Sequence, residues 1–422
     1  MNSKLLLKMQ KRIFILCWIA YSLSYFCRVN ISIALPYIQK MLECSNAALG
    51  FLGSSLFIVY AAGQLINGYI GDRVESRKFV FIGLAFSALI NIFFGFAKSL
   101  PLMIILWGVN GFFQSMLWGP IMKNLSCWFP SREKNKIAIK ISTTMVAGYI
   151  MAWGLSGIII TRTSWQWAFF VPGIIVMSFA VLWYIMARNR PEEVGLTLED
   201  DSRPKEKSID NKQPMTLWQV ICSTKLLFVM IACIVQGFVR DGITLWSPKF
   251  LMETQKIPVK IMASLVVVIP AANFLGVLLA GWLNNKSNND EKLASIIMFS
   301  AGAIFCIGLF EFGGISPYVC LFFLCCSSAL MSGANTLLVS IIPLSYIKYN
   351  RVSAIAGLLD FCCYIGSGTT GILTGFIVDK SGWTGVMLSW IIAALIGVLS
   401  ISAAWIEQKG LVRKRLETSE IK

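Results

Sequence analysis

Twelve runs of mostly apolar residues, each about as long as a bilayer is thick, constrain this chain more than any other feature. A helix rises about 1.5 Å per residue, so roughly 20 such residues cross the ~30 Å hydrocarbon core of a membrane. Backbone in lipid must satisfy its own hydrogen bonds, which leaves helices or closed barrels. The runs lie near 13–36, 48–70, 79–98, 101–122, 137–160, 165–187, 225–250, 261–283, 293–312, 316–341, 352–377 and 383–405. They predict an all-α membrane protein of twelve transmembrane helices, spans 1 to 12. Composition agrees: 56% of residues are hydrophobic and 14% charged, against about 25% charged in soluble domains. The first run follows the basic segment MNSKLLLKMQKR. It is too long for a signal-peptide core and has no small-residue cleavage site, so it counts as span 1.

The longest polar interruption runs from Arg188 to Met215, charged, Pro-containing and nearly free of aromatics, as in a solvated linker. It divides the chain into a six-helix half (1–187), a linker (188–215), a second six-helix half (216–405) and a tail (406–422). The halves carry signs of duplication. GYIGDR (Gly68 to Arg73) after span 2 has a counterpart GWLNNK (Gly281 to Lys286) after span 8, at an offset of 213. Arg28 in span 1 aligns with Arg240 in span 7 at 212, and Trp165 with Trp383 at 218. Gly148, Gly154 and Gly157 in span 5 echo Gly366, Gly371 and Gly375 in span 11. Two pseudo-symmetric halves imply a carrier with its substrate at the repeat interface near mid-membrane.

Orientation follows from Lys and Arg in alternate loops. The N-terminal segment, the even-to-odd loops and the tail hold 27, or 28 with Lys225, whereas the other side holds seven: Lys40, Lys98, Arg162, Lys249, Lys256, Lys260 and Lys380. Both termini are therefore expected in the cytoplasm. The net charge of +16 is spread among these loops, a pattern that sets topology and does not suit nucleic-acid binding.

Several chemistries are excluded. There is no His, hence no imidazole metal site, no His-activated nucleophile and no His proton relay. The 12 Cys residues lie mostly in apolar runs without a CxxC spacing, so they read as small apolar residues, and neither a metal nor a cofactor is expected. No nucleophile–base pair and no GxxxxGK[ST] loop occurs, which argues against an enzyme and against ATP-driven transport.

Arg28 and Arg240 are each the sixteenth residue of their span, about 22 Å along a helix. An Arg at that depth costs roughly 2.5 to 3.5 kcal/mol on insertion scales, so it faces a cavity or a partner and is a functional candidate. Two forked, permanently charged guanidinium groups suit an oxyanion, and a phosphate monoester matches them better than one carboxylate. The alternative is neutralisation by an internal acid. Asp241 is adjacent to Arg240, but successive residues point about 100° apart around a helix, which makes it a poor direct partner. Asp360 in span 11 is the other acid within reach.

The twelve spans, the central linker and G68-Y-I-G-D72-R73-V-E-S-R77-K78 resemble the major facilitator superfamily and its loop motif between helices 2 and 3. YSLSYFCR (Tyr21 to Arg28), VRDGITLWSPKFLMETQK (Val239 to Lys256), WFPSREKNK (Trp128 to Lys136), NRPEEVGL (Asn189 to Leu196) and AGLLDFCCYIGS (Ala356 to Ser367) resemble its organophosphate:phosphate antiporters. That group includes bacterial glycerol-3-phosphate and hexose-phosphate transporters. The resemblance implies a rocker-switch carrier in a bacterial inner membrane, working as a monomer, that exchanges a phosphorylated metabolite for inorganic phosphate. Arg28 and Arg240 would hold the phosphoryl group, with Tyr21, Tyr25, Tyr60, Gln64, Tyr364 and Asp360 lining the cavity. The four tyrosines also fit interhelical packing or interfacial anchoring.

The chain departs from the glycerol-3-phosphate pattern at Val29 and Gln64, where that pattern has Lys, and near Thr144, where it has His. The pocket is less positive in consequence. In the loop motif, Asp72, Arg73, Arg77 and Lys78 form a charge cluster that can gate alternation or simply anchor the loop. Asn285 replaces the acid in the second-half counterpart. Two other readings stay open. An organic-anion symporter of the hexuronate type is suggested by RVNISIALPYIQ (Arg28 to Gln39), although Cys27 stands where such proteins usually carry Asp. A non-transporting sugar-phosphate sensor is the other.

Overall fold

The computed structural model describes residues 2–130, 133–196, 219, 221, 224, 226–343, 345 and 352–420. Among these residues all regular structure is helical: α1 (Asn2–Ser24), α2 (Asn30–Leu42), α3 (Asn46–Arg73), α4 (Ser76–Phe96), α5 (Leu100–Gln114), α6 (Trp118–Trp128), α7 (Lys134–Arg162), α8 (Trp167–Met186), α9 (Leu226–Thr254), α10 (Val259–Val266), α11 (Val268–Lys286), α12 (Glu291–Phe312), α13 (Pro317–Asn335) and α14 (Val352–Glu420). Most of the linker expected at 188–215 lies outside the described residues.

Among the described residues, eleven helical stretches are long and apolar enough to cross a membrane. The last of them, Ile355–Ile406, holds both span 11 and span 12, because α14 turns at Gly382, where φ is 65° and ψ −168°. Only glycine adopts that conformation readily. Twelve crossings result, as the sequence predicts.

The spans are less regular than their hydropathy suggests. Span 1 is α1 and α2 joined by a 3₁₀ turn at Tyr25–Cys27, span 4 is α5 and α6, span 8 is α10 and α11, and span 10 ends in a π-helix at Thr336–Ile341. Hydropathy sums transfer energies and is blind to which backbone hydrogen bonds are made, so a break supplied with partners leaves no trace in it.

The chain forms two compact units. The first comprises the described residues within Met1–Cys44, Phe51–Asn211 and Pro258–Pro270, and the second those within Ser45–Gly50, Lys212–Ile257 and Ala271–Lys422. In the first unit α4 packs along α8 and α5, around Phe94, which stacks on Phe169 at 4.4 Å and tilts against Trp107 at 5.2 Å. In the second, α9 and α12 pack along α14. The start of α3 belongs to this second unit for a local reason. The backbone N–H groups of Asn46 and Ala47 donate to the Asp379 carboxylate at 3.0 and 2.8 Å, and the Asn46 side chain also bonds Lys249. Many large apolar side chains remain exposed, including Phe51, Ile105, Ile174, Leu275 and Leu399. Helices apolar on their outward faces are what a bilayer solvates.

Candidate functional site

Arg28 does not sit in a regular helix. The Arg28 N–H bonds the carbonyl of Tyr25 at 3.1 Å instead of that of Ser24, and Val29 N–H shares the same acceptor at 3.0 Å. Backbone angles at Arg28 are φ −122°, ψ −41°. No Pro or Gly lies between Ser24 and Asn30, so the break has another of the usual causes, insertion of side chains into the helix ladder. The inserted groups are amides. Gln114 Nε2 donates to the Ser24 carbonyl at 3.0 Å, and Asn110 Nδ2 and Asn91 Nδ2 donate to the Cys27 carbonyl at 2.7 and 3.2 Å. Trp153 Nε1 donates to the Val29 carbonyl at 3.2 Å and to the Ser32 hydroxyl at 2.9 Å. The amides also hold one another: Gln114 bonds Ser87 Oγ at 2.8 Å, Ser87 Oγ donates to Asn110 Oδ1 at 2.7 Å, and Asn30 Nδ2 donates to Asn91 Oδ1 at 3.0 Å. Every one of these side chains is buried.

Around Arg28 the structure gathers most of the aromatic candidates of the first unit. The guanidinium carbon lies 4.5 Å from the centre of the Tyr60 ring and 5.8 Å from that of Tyr25, within the range of cation–π attraction. Tyr21 meets Tyr25 edge to face at 5.7 Å, and Gln64 Nε2 donates to the Tyr60 hydroxyl at 2.9 Å. Trp118 and Tyr149 extend the chain of rings, at 4.7 Å from Tyr21 and 4.9 Å from Tyr25. Tyr21, Tyr25 and Tyr60 are buried, while Arg28 and Gln64 are half-buried.

In the second unit Arg240 lies within α9, which runs without interruption from Leu226 to Thr254. Here an expectation fails. Asp241 is a direct partner: Arg240 Nε donates to one of its carboxylate oxygens at 3.0 Å and a terminal nitrogen donates to the other at 2.8 Å. The two residues do leave the helix on different faces, but an arginine has four rotatable bonds and folds back across the intervening angle. The carboxylate is also fixed from another side, since the Ser367 hydroxyl on α14 donates to it. That contact needs the two backbones close together. A Cβ on Gly237 would fall 2.2 Å from the Cys363 carbonyl, and one on Gly366 would fall 1.9 Å from that of Ile234. Asp360 and Tyr364 lie on α14 in the same unit and are half-buried.

The loop motif is spread over several environments. The Asp72 side chain lies outside the described residues. Lys123 Nζ on α6 donates to the carbonyls of Gly71 and Val74 at 2.9 and 3.0 Å, capping the C-terminal end of α3. Arg73 is exposed and lines a cavity of about 280 Å³ together with Lys123, Asn189, Arg190 and Glu193. Arg77 is tied into its own unit: Asn189 accepts from its N–H at 2.8 Å, Trp183 donates to its carbonyl at 3.0 Å, and its guanidinium lies 5.2 Å from the Tyr184 ring. Lys78 pairs with Glu75 at 3.1 Å on the surface.

Residue-type reasoning overlooks the amides, Ser367, Trp118, Tyr149 and Lys123. One signal was available. Asn91, Asn110 and Gln114 stand inside apolar spans, and polar side chains there have to find partners or functions. No group of three or more Cys, Asp or Glu residues placed to hold a metal occurs among the described residues.

The family model described as Major Facilitator Superfamily matches residues 17–367. Among curated proteins, one of Chlamydia trachomatis named "Probable hexose phosphate transport protein" is 26% identical, covering 96% of this chain and 92% of that protein. The "Glycerol-3-phosphate transporter" of Bacillus subtilis is also 26% identical, covering 94% and 93%. Among solved structures, a bacterial homologue of the human lysosomal transporter Spinster superposes with a TM-score of 0.73 at 14% identity, covering 96% of this chain and 98% of that one. At that identity the likeness speaks to the fold alone.

Proposed function

The chain belongs to the major facilitator superfamily, and from that premise we propose that it carries a phosphorylated metabolite across a bacterial inner membrane in exchange for inorganic phosphate, by alternating access. Arg28 and Arg240 each engage the phosphoryl group. The observation that carries this reading is Arg28 itself: a permanently charged fork, deep in a span, seated on the Tyr60 ring at 4.5 Å. A charged group at that depth is a functional candidate by default, and the geometry of its fork suits an oxyanion. Exchange suits it, because an anion then accompanies the guanidinium on every crossing. The printed names of the two curated relatives, a hexose phosphate and a glycerol-3-phosphate protein, support the substrate class.

Tyr21, Tyr25, Tyr60 and Gln64 serve substrate binding alongside Arg28 in the first unit, and Asp360 and Tyr364 alongside Arg240 in the second. Asp72 and Arg73 act as the gate, whereas the packing of Arg77 and the Lys78–Glu75 pair support an anchoring role for those two cations. The carrier works as a monomer, and its termini lie in the cytoplasm, the orientation that the distribution of basic loops suggests.

Purified protein in liposomes loaded with inorganic phosphate tests the reading, with labelled phosphate outside and unlabelled phosphate esters and sugar acids as competitors. Uptake inhibited by particular esters is expected. Uptake of a sugar acid driven by a proton gradient, without phosphate exchange, overturns the reading in favour of a symporter. Ester binding without any flux overturns it in favour of a sensor.

A further inference from the structure

The amide cluster beneath Arg28 answers a specific need created by the break in span 1. In a regular helix the Ser24 carbonyl would accept from Arg28 N–H and the Cys27 carbonyl from Ile31 N–H. The 3₁₀ turn diverts the first of these to Tyr25. The side-chain amides of Gln114, Asn110 and Asn91 reach the carbonyls of Ser24 and Cys27, and the Trp153 indole reaches that of Val29. Amides that served only to hold helices together would have no reason to select acceptors at both ends of one interrupted turn, Ser24 and Cys27.

The break also changes where Arg28 points. A 3₁₀ helix advances about 120° per residue and an α-helix about 100°. Over the three residues Tyr25–Cys27 the difference rotates Arg28 by about 60° relative to an unbroken α1. In the rotated position its guanidinium lies over Tyr60.

We infer that Asn110, Asn91 and Gln114 are positioning residues: by replacing the backbone hydrogen bonds of the interrupted turn, they hold span 1 open at Tyr25–Cys27 and aim Arg28 at the substrate's anionic group. The aiming rests on the reading of Arg28 as an anion ligand given above, while the control of Arg28 itself does not. Broken helices at membrane depth recur at carrier binding sites because irregular backbone is tolerated there only when other groups satisfy it. In this chain the satisfying groups are side chains, and a single substitution can remove one.

The test uses the full-length protein and the chemical reactivity of its arginines. Wild type, Asn110→Leu and Gln114→Leu are treated with an arginine-specific dicarbonyl. Modification at Arg28 and Arg240 is followed by mass spectrometry, with and without inorganic phosphate, beside thermal midpoints and phosphate KM and kcat. Arg240, in the other unit, is the internal control. The expected result is a change of about threefold or more in the Arg28 modification rate with Arg240 unchanged, and a KM for phosphate raised about tenfold with kcat altered less. Gln114→Leu frees the Ser24 carbonyl and the Ser87 hydroxyl but leaves both amides on the Cys27 carbonyl, so it carries the same test if Asn110→Leu does not fold. Unchanged Arg28 reactivity in a folded variant overturns the inference, and so does an equal change at both arginines with a lowered midpoint, the signature of general loosening. If phosphate fails to protect Arg28 in the wild type, the anion-ligand reading fails instead, and the Arg28-specific rate change still decides the positioning role.

Discussion

Arg28 and Arg240 occupy corresponding positions in the two halves, 212 residues apart, yet the two units support them in opposite ways. The first unit breaks the helix and replaces the lost bonds with neutral amides. The second keeps the helix whole and binds the guanidinium in both arms of a neighbouring carboxylate. The amide support adds no charge of its own to Arg28, whereas Asp241 contributes a full negative charge to Arg240. The two arginines share a type of charge and a place sixteen residues into their spans, while the means of aiming them diverge. On the reading proposed above, an anion arriving at Arg240 has to share or displace the Asp241 carboxylate.

The largest effects are expected at the arginines. Arg28→Lys and Arg240→Lys each lower phosphate exchange about 100-fold or more while the protein remains folded, because an ammonium is a point charge and cannot reproduce the fork. Counterflow in liposomes measures this, and near-normal exchange in either variant removes that arginine from the site. Asp241→Asn separates the two arms. Taking the carboxylate from a half-buried arginine destabilises the protein by roughly 1–3 kcal/mol. Added phosphate then raises the thermal midpoint more than in wild type, because it fills the vacated fork. A phosphate-induced shift no larger than that of the wild type shows that Asp241 is not in competition with the anion.

Much of this was legible in the sequence, and the rest was hidden for identifiable reasons. Spans, crossings and the paired arginines follow from hydropathy and from the cost of charge in lipid, both of which are sums over residues. The break at Tyr25–Cys27 is not legible because no Pro or Gly marks it. Its cause lies about 60 to 90 residues downstream, in Asn91, Asn110 and Gln114. The Arg240–Asp241 pair was misjudged by treating side chains as rigid spokes around a helix. Such spokes describe short residues well, but the long flexible stem of an arginine escapes them. Ser367 was invisible because only the close approach of α9 and α14 at Gly237 and Gly366 brings it to Asp241.

Substitutions at Tyr60 sharpen the contrast at intermediate size. The ring beneath Arg28 contributes about 0.5–2 kcal/mol through its face, so Tyr60→Leu raises the phosphate KM by roughly 2- to 30-fold. Tyr60→Phe keeps the face and loses the hydroxyl with its bond from Gln64, so its KM stays within about threefold of wild type. If Phe behaves like Leu, the hydroxyl matters more than the ring, and Gln64 joins the site as its partner.

The smallest effects are expected in the two loops, where the halves differ again. Lys78 forms an exposed pair with Glu75 at 3.1 Å, and Lys286 in the counterpart loop lies 4.9 Å from the Trp282 ring. An exposed ion pair is worth about 0–1 kcal/mol and an exposed cation–π contact a similar amount. Neither lysine contacts an arginine of the proposed site in any interaction described above. Lys78→Gln and Lys286→Gln are therefore each expected to change exchange turnover less than about twofold, with phosphate affinity unaltered. The informative outcome is an unequal one. A turnover loss of fivefold or more in Lys78→Gln alone, at constant affinity, would move Lys78 from anchor to gate. It would also place the gate in the loop that keeps its acid, Asp72, and not in the loop where Asn285 has replaced it.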